Sequence, residues 1–178
     1  MAHTRRGGAA GRAALAGVLG GLSLAMLYLS VLAPAGRLGF IAAAGLFPAG
    51  AVISSGLGTG FFCYGTAGLL GLLLLPDKGN ALLYLFFFGL WPMVKSLIER
   101  LEQLALELLC KLAFFNLTLS LLLAVLRETV LSFLPPALSR LWMIYLGGNI
   151  AFLIYDLGFS KLIAFYSARI DRVLRRGV

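Results

Sequence analysis

Polar side chains are rare in this chain, so the few that fall inside its apolar runs are the first candidates for chemistry. Asn149 and Asp156 stand seven residues apart in the run that begins near Leu138. On a helix of 3.6 residues per turn, seven steps return to nearly the same face. Tyr145 precedes Asn149 by four and Trp142 precedes it by seven, so Trp142, Tyr145, Asn149 and Asp156 form one stripe. At about 1.5 Å per residue, Trp142 lies near one end of a span, Asn149 at its middle and Asp156 toward the other end. Asn80 and Tyr84 open an earlier apolar run, and Arg127 and Glu128 close another, at the same end as Trp142. Aromatic walls with a few fixed polar groups suit a small-molecule site. The same residues also suit interfacial anchoring by Trp and Tyr combined with an interhelical amide bond.

Asp156 has a different chemistry. An unpaired carboxylate in lipid costs several kcal/mol or takes up a proton. Lys161, Lys95 and Asn116 lie at similar depth, so a structural ion pair among Lys95, Asp156 and Lys161 is expected, with proton coupling or solute contact as the other roles open to it. Catalysis has little to work with. The one histidine is His3, which removes histidine-ligated metal sites and Ser-His or Cys-His pairs. Cys63 and Cys110 sit in apolar surroundings without a CxxC spacing and read as small hydrophobes. HExxH, GxSxG and P-loop patterns are all absent from the sequence. No enzyme, no metal and no cofactor is expected, and any powered process would need a separate ATPase.

The elements that hold these residues follow from composition. Of 178 residues, 61% are hydrophobic and 12% are charged, and mean hydropathy is +0.97. A soluble domain is about half apolar and about a quarter charged, and one this small leaves too much surface exposed to hide the excess. The chain is therefore expected to be an all-α, polytopic membrane bundle forming a single domain over 1–178. Continuously apolar runs without dyad alternation argue against an outer-membrane barrel. Six spans of roughly 20 residues or fewer are predicted: Ala13–Ala33, Leu38–Ser54 with Pro48 inside it, Phe61–Leu75, Asn80–Val94, Leu109–Leu126 and Leu138–Phe159. Ala13–Ala33 exceeds a usual signal core and reads as a retained span. Ser55–Gly60 reads as a glycine-rich break, Pro76–Gly79 as a turn, and Arg127–Pro136 as a loop. The charges of Lys95–Glu107 recur at helical spacing opposite an apolar stripe, so 95–108 is expected to be an amphipathic cytoplasmic helix.

Charge sets the expected orientation. With both termini inside, Arg5, Arg6, Arg12, Lys95, Arg100, Lys111, Lys161, Arg169, Arg172, Arg175 and Arg176 are cytoplasmic, and Arg37, Lys78, Arg127 and Arg140 are outside. Residues 1–12 and 169–178 then form basic cytoplasmic tails. The net charge of +8 thus reads as membrane topology, and no nucleic-acid partner is expected.

Ala13, Gly17, Gly21 and Ala25 recur every four residues along the first span, a face built for close helix approach. It serves either packing within the chain or docking onto another membrane subunit. Together with the size, six spans, inside termini and the Ala67–Gly71 segment, this stripe resembles the substrate-binding (S) components of energy-coupling factor (ECF) transporters. The resemblance implies capture of a vitamin-like small molecule from outside, docking of the first helix on a coupling transmembrane subunit, ATPase partner subunits, and residence among the lipids of the bacterial plasma membrane. The substrate contacts would be Asn80, Tyr84, Arg127, Glu128, Trp142, Tyr145 and Asn149. Here glycines replace the alanines usual in the middle of that face. A non-transporting membrane scaffold, similar in layout to small rod-shape morphogenesis subunits, is the alternative.

Overall fold

The computed structural model describes residues 8–33, 35–132 and 140–176, with side chains as far as 168; these residues are helical almost throughout, and none forms a strand. Six helical stretches are long and apolar enough to cross a membrane: Ala9–Leu32, Arg37–Ser55, Leu57–Leu74, Lys78–Leu101, Leu104–Val125 and Leu141–Ala168. This is the architecture of a multi-pass, all-α membrane protein, in which helices satisfy their backbone groups internally. The chain divides into two compact units, Met1–Leu97 and Ile98–Val178.

The first unit is centred on α1 (Ala9–Leu32), which packs most extensively on α4 (Leu57–Leu74), then on α2 (Arg37–Ala44) and α3 (Leu46–Ser55). The second span is broken at Gly45, three residues before Pro48. Pro48 has no N–H for the Ala44 carbonyl four residues back, and Ser23 Oγ donates to that carbonyl at 2.8 Å instead. The expected six-residue break at Ser55–Gly60 shrinks to Gly56 alone. Its φ of 90° and ψ of 173° lie in a region open essentially to glycine, and helix resumes at Leu57 with Thr59 and Gly60 donating to the Gly56 carbonyl.

The fourth span is composite. Asp77 caps α5 (Lys78–Leu83), accepting from the Gly79 N–H at 3.0 Å. A π-helical turn follows at Tyr84–Phe88, closed by Gly89 N–H on the Tyr84 carbonyl, and α6 (Trp91–Ile98) resumes the helix. Pro92 accounts for the interruption, since it has no N–H for the Phe88 carbonyl four residues back. That carbonyl lies against Gly45, where a Cβ would collide with it. The two irregular spans are fitted to each other at this point.

In the second unit, a 3-10 turn (Glu99–Leu101) precedes α7 (Leu104–Val125), α8 (Arg127–Ser132) and α9 (Leu141–Arg176). The expected amphipathic helix over 95–108 is not one helix. Its first residues end span four, Glu102 turns left-handed (φ 54°), Gln103 is extended, and Leu104 starts span five. The polar cluster Glu99–Gln103 supplies the chain reversal between two spans instead of a helix lying on the surface. Part of the loop expected at Arg127–Pro136 is helical as α8; Pro135 and Pro136 lie outside the described residues, as do Pro34 and residues 1–7 of the N-terminal tail. Residues Ala9–Arg12 of that tail belong to α1, and the backbone of 169–176 continues α9.

Candidate functional site

Three members of the polar stripe expected on α9, Tyr145, Asn149 and Asp156, are each bonded to a residue of α7. Asp156 binds Lys111 at 2.9 Å, with both side chains nearly enclosed at 11% and 12% exposure. Asn149 and Asn116 form a reciprocal amide pair, each Nδ2 donating to the other's Oδ1 at 3.0 and 2.9 Å. Tyr145 and Ser120 share a hydroxyl bond of 2.7 Å. The numbers rise on one helix as they fall on the other, so α7 and α9 run antiparallel. Between the rungs, Phe115 and Phe152 stack with centroids 4.6 Å apart. Gly148 makes room for them, since a Cβ there would meet the Phe115 ring at 3.2 Å. The result is a ladder whose charged rung is at the Lys111 end and whose neutral rungs extend toward Ser120.

Sequence reading missed how this ladder is held. The expected lock paired Asp156 with Lys95 and Lys161, whereas α7 brings Lys111 onto Asp156. Lys161 is exposed and pairs with no carboxylate among the described residues. The reason is angular: five residues from Asp156 is about 140° around the helix. Lys111 also reaches Glu99 at 3.4 Å, tying the 3-10 turn to α7. Lys95 is buried with its Nζ 5.8 Å from the centroid of Trp91. Part of the signal for the ladder was present in α7, where Asn116 and Ser120 repeat the four-residue step of Tyr145 and Asn149; Lys111, five residues before Asn116, does not repeat the seven-residue step to Asp156.

In the first unit, Asn80 and Tyr84 are fully buried and act as internal ties. Asn80 Nδ2 donates to Ser30 Oγ at 3.0 Å, and Ser30 donates to the Leu27 carbonyl. Ser23 Oγ lies within hydrogen-bond distance of both the Ala44 carbonyl and Tyr84 Oη, at 2.8 and 3.0 Å. Tyr64 donates to the Leu85 carbonyl within the π turn at 2.8 Å. Ser23 and Ser30 went unremarked in the sequence because short hydroxyls in a span resemble small packing residues. The remaining expected contacts are at the surface: Arg127 and Glu128 on α8 are exposed, and Trp142 is 58% exposed at the start of α9.

The stripe on α1 is turned outward. Ala16, Gly20, Ser23, Leu27 and Ser30 form the buried face, while Ala13, Gly17, Gly21 and Ala25 are all exposed. A Cβ at Gly20 would touch Cys63 and Thr66 at 3.4–3.5 Å; one at Gly17 or Gly21 would meet nothing within 4 Å. Close approach between α1 and α4 therefore uses Gly20, and the other stripe stays exposed among the described residues. A cleft of about 400 Å³ lies at its first turn, lined by Arg12, Ala13 and Ala16 of α1, Ser55 of α3, and Gly58, Thr59 and Phe62 of α4.

No family model, curated protein or solved structure matches this chain. What the molecule does must be read from its own bonds and surfaces. Among the described residues, no cluster of three His, Cys, Asp or Glu side chains is placed to hold a metal.

Proposed function

We propose that this protein is a non-enzymatic subunit of a larger assembly in the bacterial plasma membrane, seated on a membrane partner through Ala13, Gly17, Gly21 and Ala25. The observation that carries the reading is the outward direction of this small-residue face on a helix whose opposite face is buried. In lipid, helix association depends on close backbone approach, and a groove of small residues allows it. By its resemblance to S components, the partner is the coupling subunit of an ECF-type importer with its ATPase subunits. The solute is a vitamin-like small molecule taken from outside at Trp142, Tyr145, Asn149 and their neighbours, and both termini are cytoplasmic.

The test is copurification of coupling and ATPase subunits with the tagged chain. Gly17→Leu and Gly21→Leu should abolish it while leaving the chain's own thermal stability intact, because neither adds a clash. Gly20→Leu should instead unsettle the fold. Normal copurification of both Gly17→Leu and Gly21→Leu would show that the face does not dock.

The scaffold reading is favoured by a separate observation: Asn80, Tyr84, Tyr145 and Asn149 each have a hydrogen-bond partner within their own unit. A vitamin panel followed by thermal shift separates the two. A ligand at 100 times its Kd stabilises by about 2.7 kcal/mol; a flat panel with an intact complex favours the scaffold.

A further inference from the structure

The cations of the first unit differ in how they are engaged. Arg37 reaches Asp77 at 3.5 Å, Lys78 donates to the Leu73 carbonyl at 3.3 Å, and Lys95 lies over Trp91. Arg12 has no ion pair or side-chain hydrogen bond among the described residues, and it borders the cleft at the first turn of α1. No acid lines that cleft. Its other polar side chains are the hydroxyls of Ser55 and Thr59; Thr59 already donates to the Ser55 carbonyl at 3.3 Å, while Ser55 Oγ has no described partner. Ala13, Ala16 and Phe62 supply apolar wall, with Phe62 58% exposed. The cleft sits where α1 and α4 begin and α3 ends, at one end of three membrane-crossing stretches, which is the depth of lipid headgroups.

A cation and a free hydroxyl, with no competing carboxylate and with apolar wall leading along the helices, match an anionic phosphate carrying acyl chains. We propose that this cleft binds the phosphate headgroup of an anionic phospholipid, with Arg12 as the charged contact, Ser55 as a hydroxyl donor, and Phe62 and Ala16 against the upper acyl chain. The site is separate from the docking face in what it recognises. It stands whether or not the chain is an importer subunit.

Native mass spectrometry of the purified full-length chain tests this with phosphatidylglycerol, phosphatidylcholine and inorganic phosphate as probes. Phosphatidylglycerol should be retained over phosphatidylcholine. Arg12→Gln should reduce that retention about fivefold, the contribution of one basic residue at an anionic surface. Gly58→Leu should reduce it as well while keeping the arginine, because a Cβ at Gly58 enters open space and the larger side chain occupies the cleft. Arg37→Gln, at the far end of α1, should leave retention unchanged. Equal retention by Arg12→Gln, equal loss in Arg37→Gln, or equal binding of phosphatidylcholine each overturns the site. An Arg12-dependent response to inorganic phosphate alone overturns its assignment to lipid.

Discussion

Each amide of the Asn116–Asn149 pair is both donor and acceptor to the other, so neither has to be satisfied by lipid, which offers nothing. Interhelical hydrogen bonds in membranes contribute about 0.6 kcal/mol on average and up to about 1.7, but stranding one partner adds its own penalty of about 1–3 kcal/mol. Asn149→Leu should therefore cost about 2–4 kcal/mol, and Asn116→Leu a similar amount. The double variant should cost less than the two together, since it strands nothing. Reversible unfolding in mixed micelles over the four-member cycle measures the coupling. A coupling of zero would mean that the bond is geometry without energy. At this scale the sequence was half legible. The 3.6-residue period puts Tyr145, Asn149 and Asp156 together, and each is bonded to α7, because periodicity is a local property; Trp142 of the same stripe is exposed. The period did not assign Lys111 to Asp156, because a partner is chosen by which helix lies alongside, and that is decided by the fold.

Helices were easier to read than their interruptions. Any span must bury its backbone polar groups in its own hydrogen bonds, so long apolar runs declare themselves. The breaks at Gly45 and the π turn at Tyr84–Phe88 answer instead to a contact between two segments about forty residues apart. Pro48 and Pro92 each stand in the first turn of the helix that resumes after a break, and neither has an N–H for the carbonyl four residues back. Gly45 is the residue that receives the Phe88 carbonyl left free by Pro92. This division predicts opposite outcomes for two glycines only six positions apart. Gly45→Ala drives a Cβ into the Phe88 backbone, which cannot rotate away, and should destabilise by about 1–3 kcal/mol. Gly39→Ala, in α2 with nothing within 4 Å of its Cβ, should be neutral or stabilise by up to about 1 kcal/mol through helix propensity. Thermal unfolding of the two variants in one detergent checks both. Equal effects would mean that the approach of Phe88 to Gly45 does not shape the fold.

For the whole molecule, six crossings would put both ends of the chain on one side of the membrane, and the distribution of cations predicts which side. Lys and Arg gather at the two termini and around the α6–α7 reversal, while the turns after spans one, three and five hold one or two each. Positively charged segments resist translocation, so the termini and the reversal at Glu102–Gln103 should be cytoplasmic, with the Asp77–Lys78 turn and Arg140 outside. The structure makes these positions suitable reporters. Gly8, Gln103 and Arg140 are exposed and Lys78 is at a helix start, so a cysteine at each is accessible without breaking packing. In a Cys63→Ala, Cys110→Ala background, a membrane-impermeant maleimide should label Lys78→Cys and Arg140→Cys in intact cells. Gly8→Cys and Gln103→Cys should react only after permeabilisation. Gln103→Cys is the decisive position, because the chain reverses there at a left-handed Glu102 and not along a surface helix. If it reacts in intact cells while Gly8→Cys does not, the span count between them is odd, and one of the two irregular spans, broken at Gly45 or at the π turn, enters the membrane without crossing it.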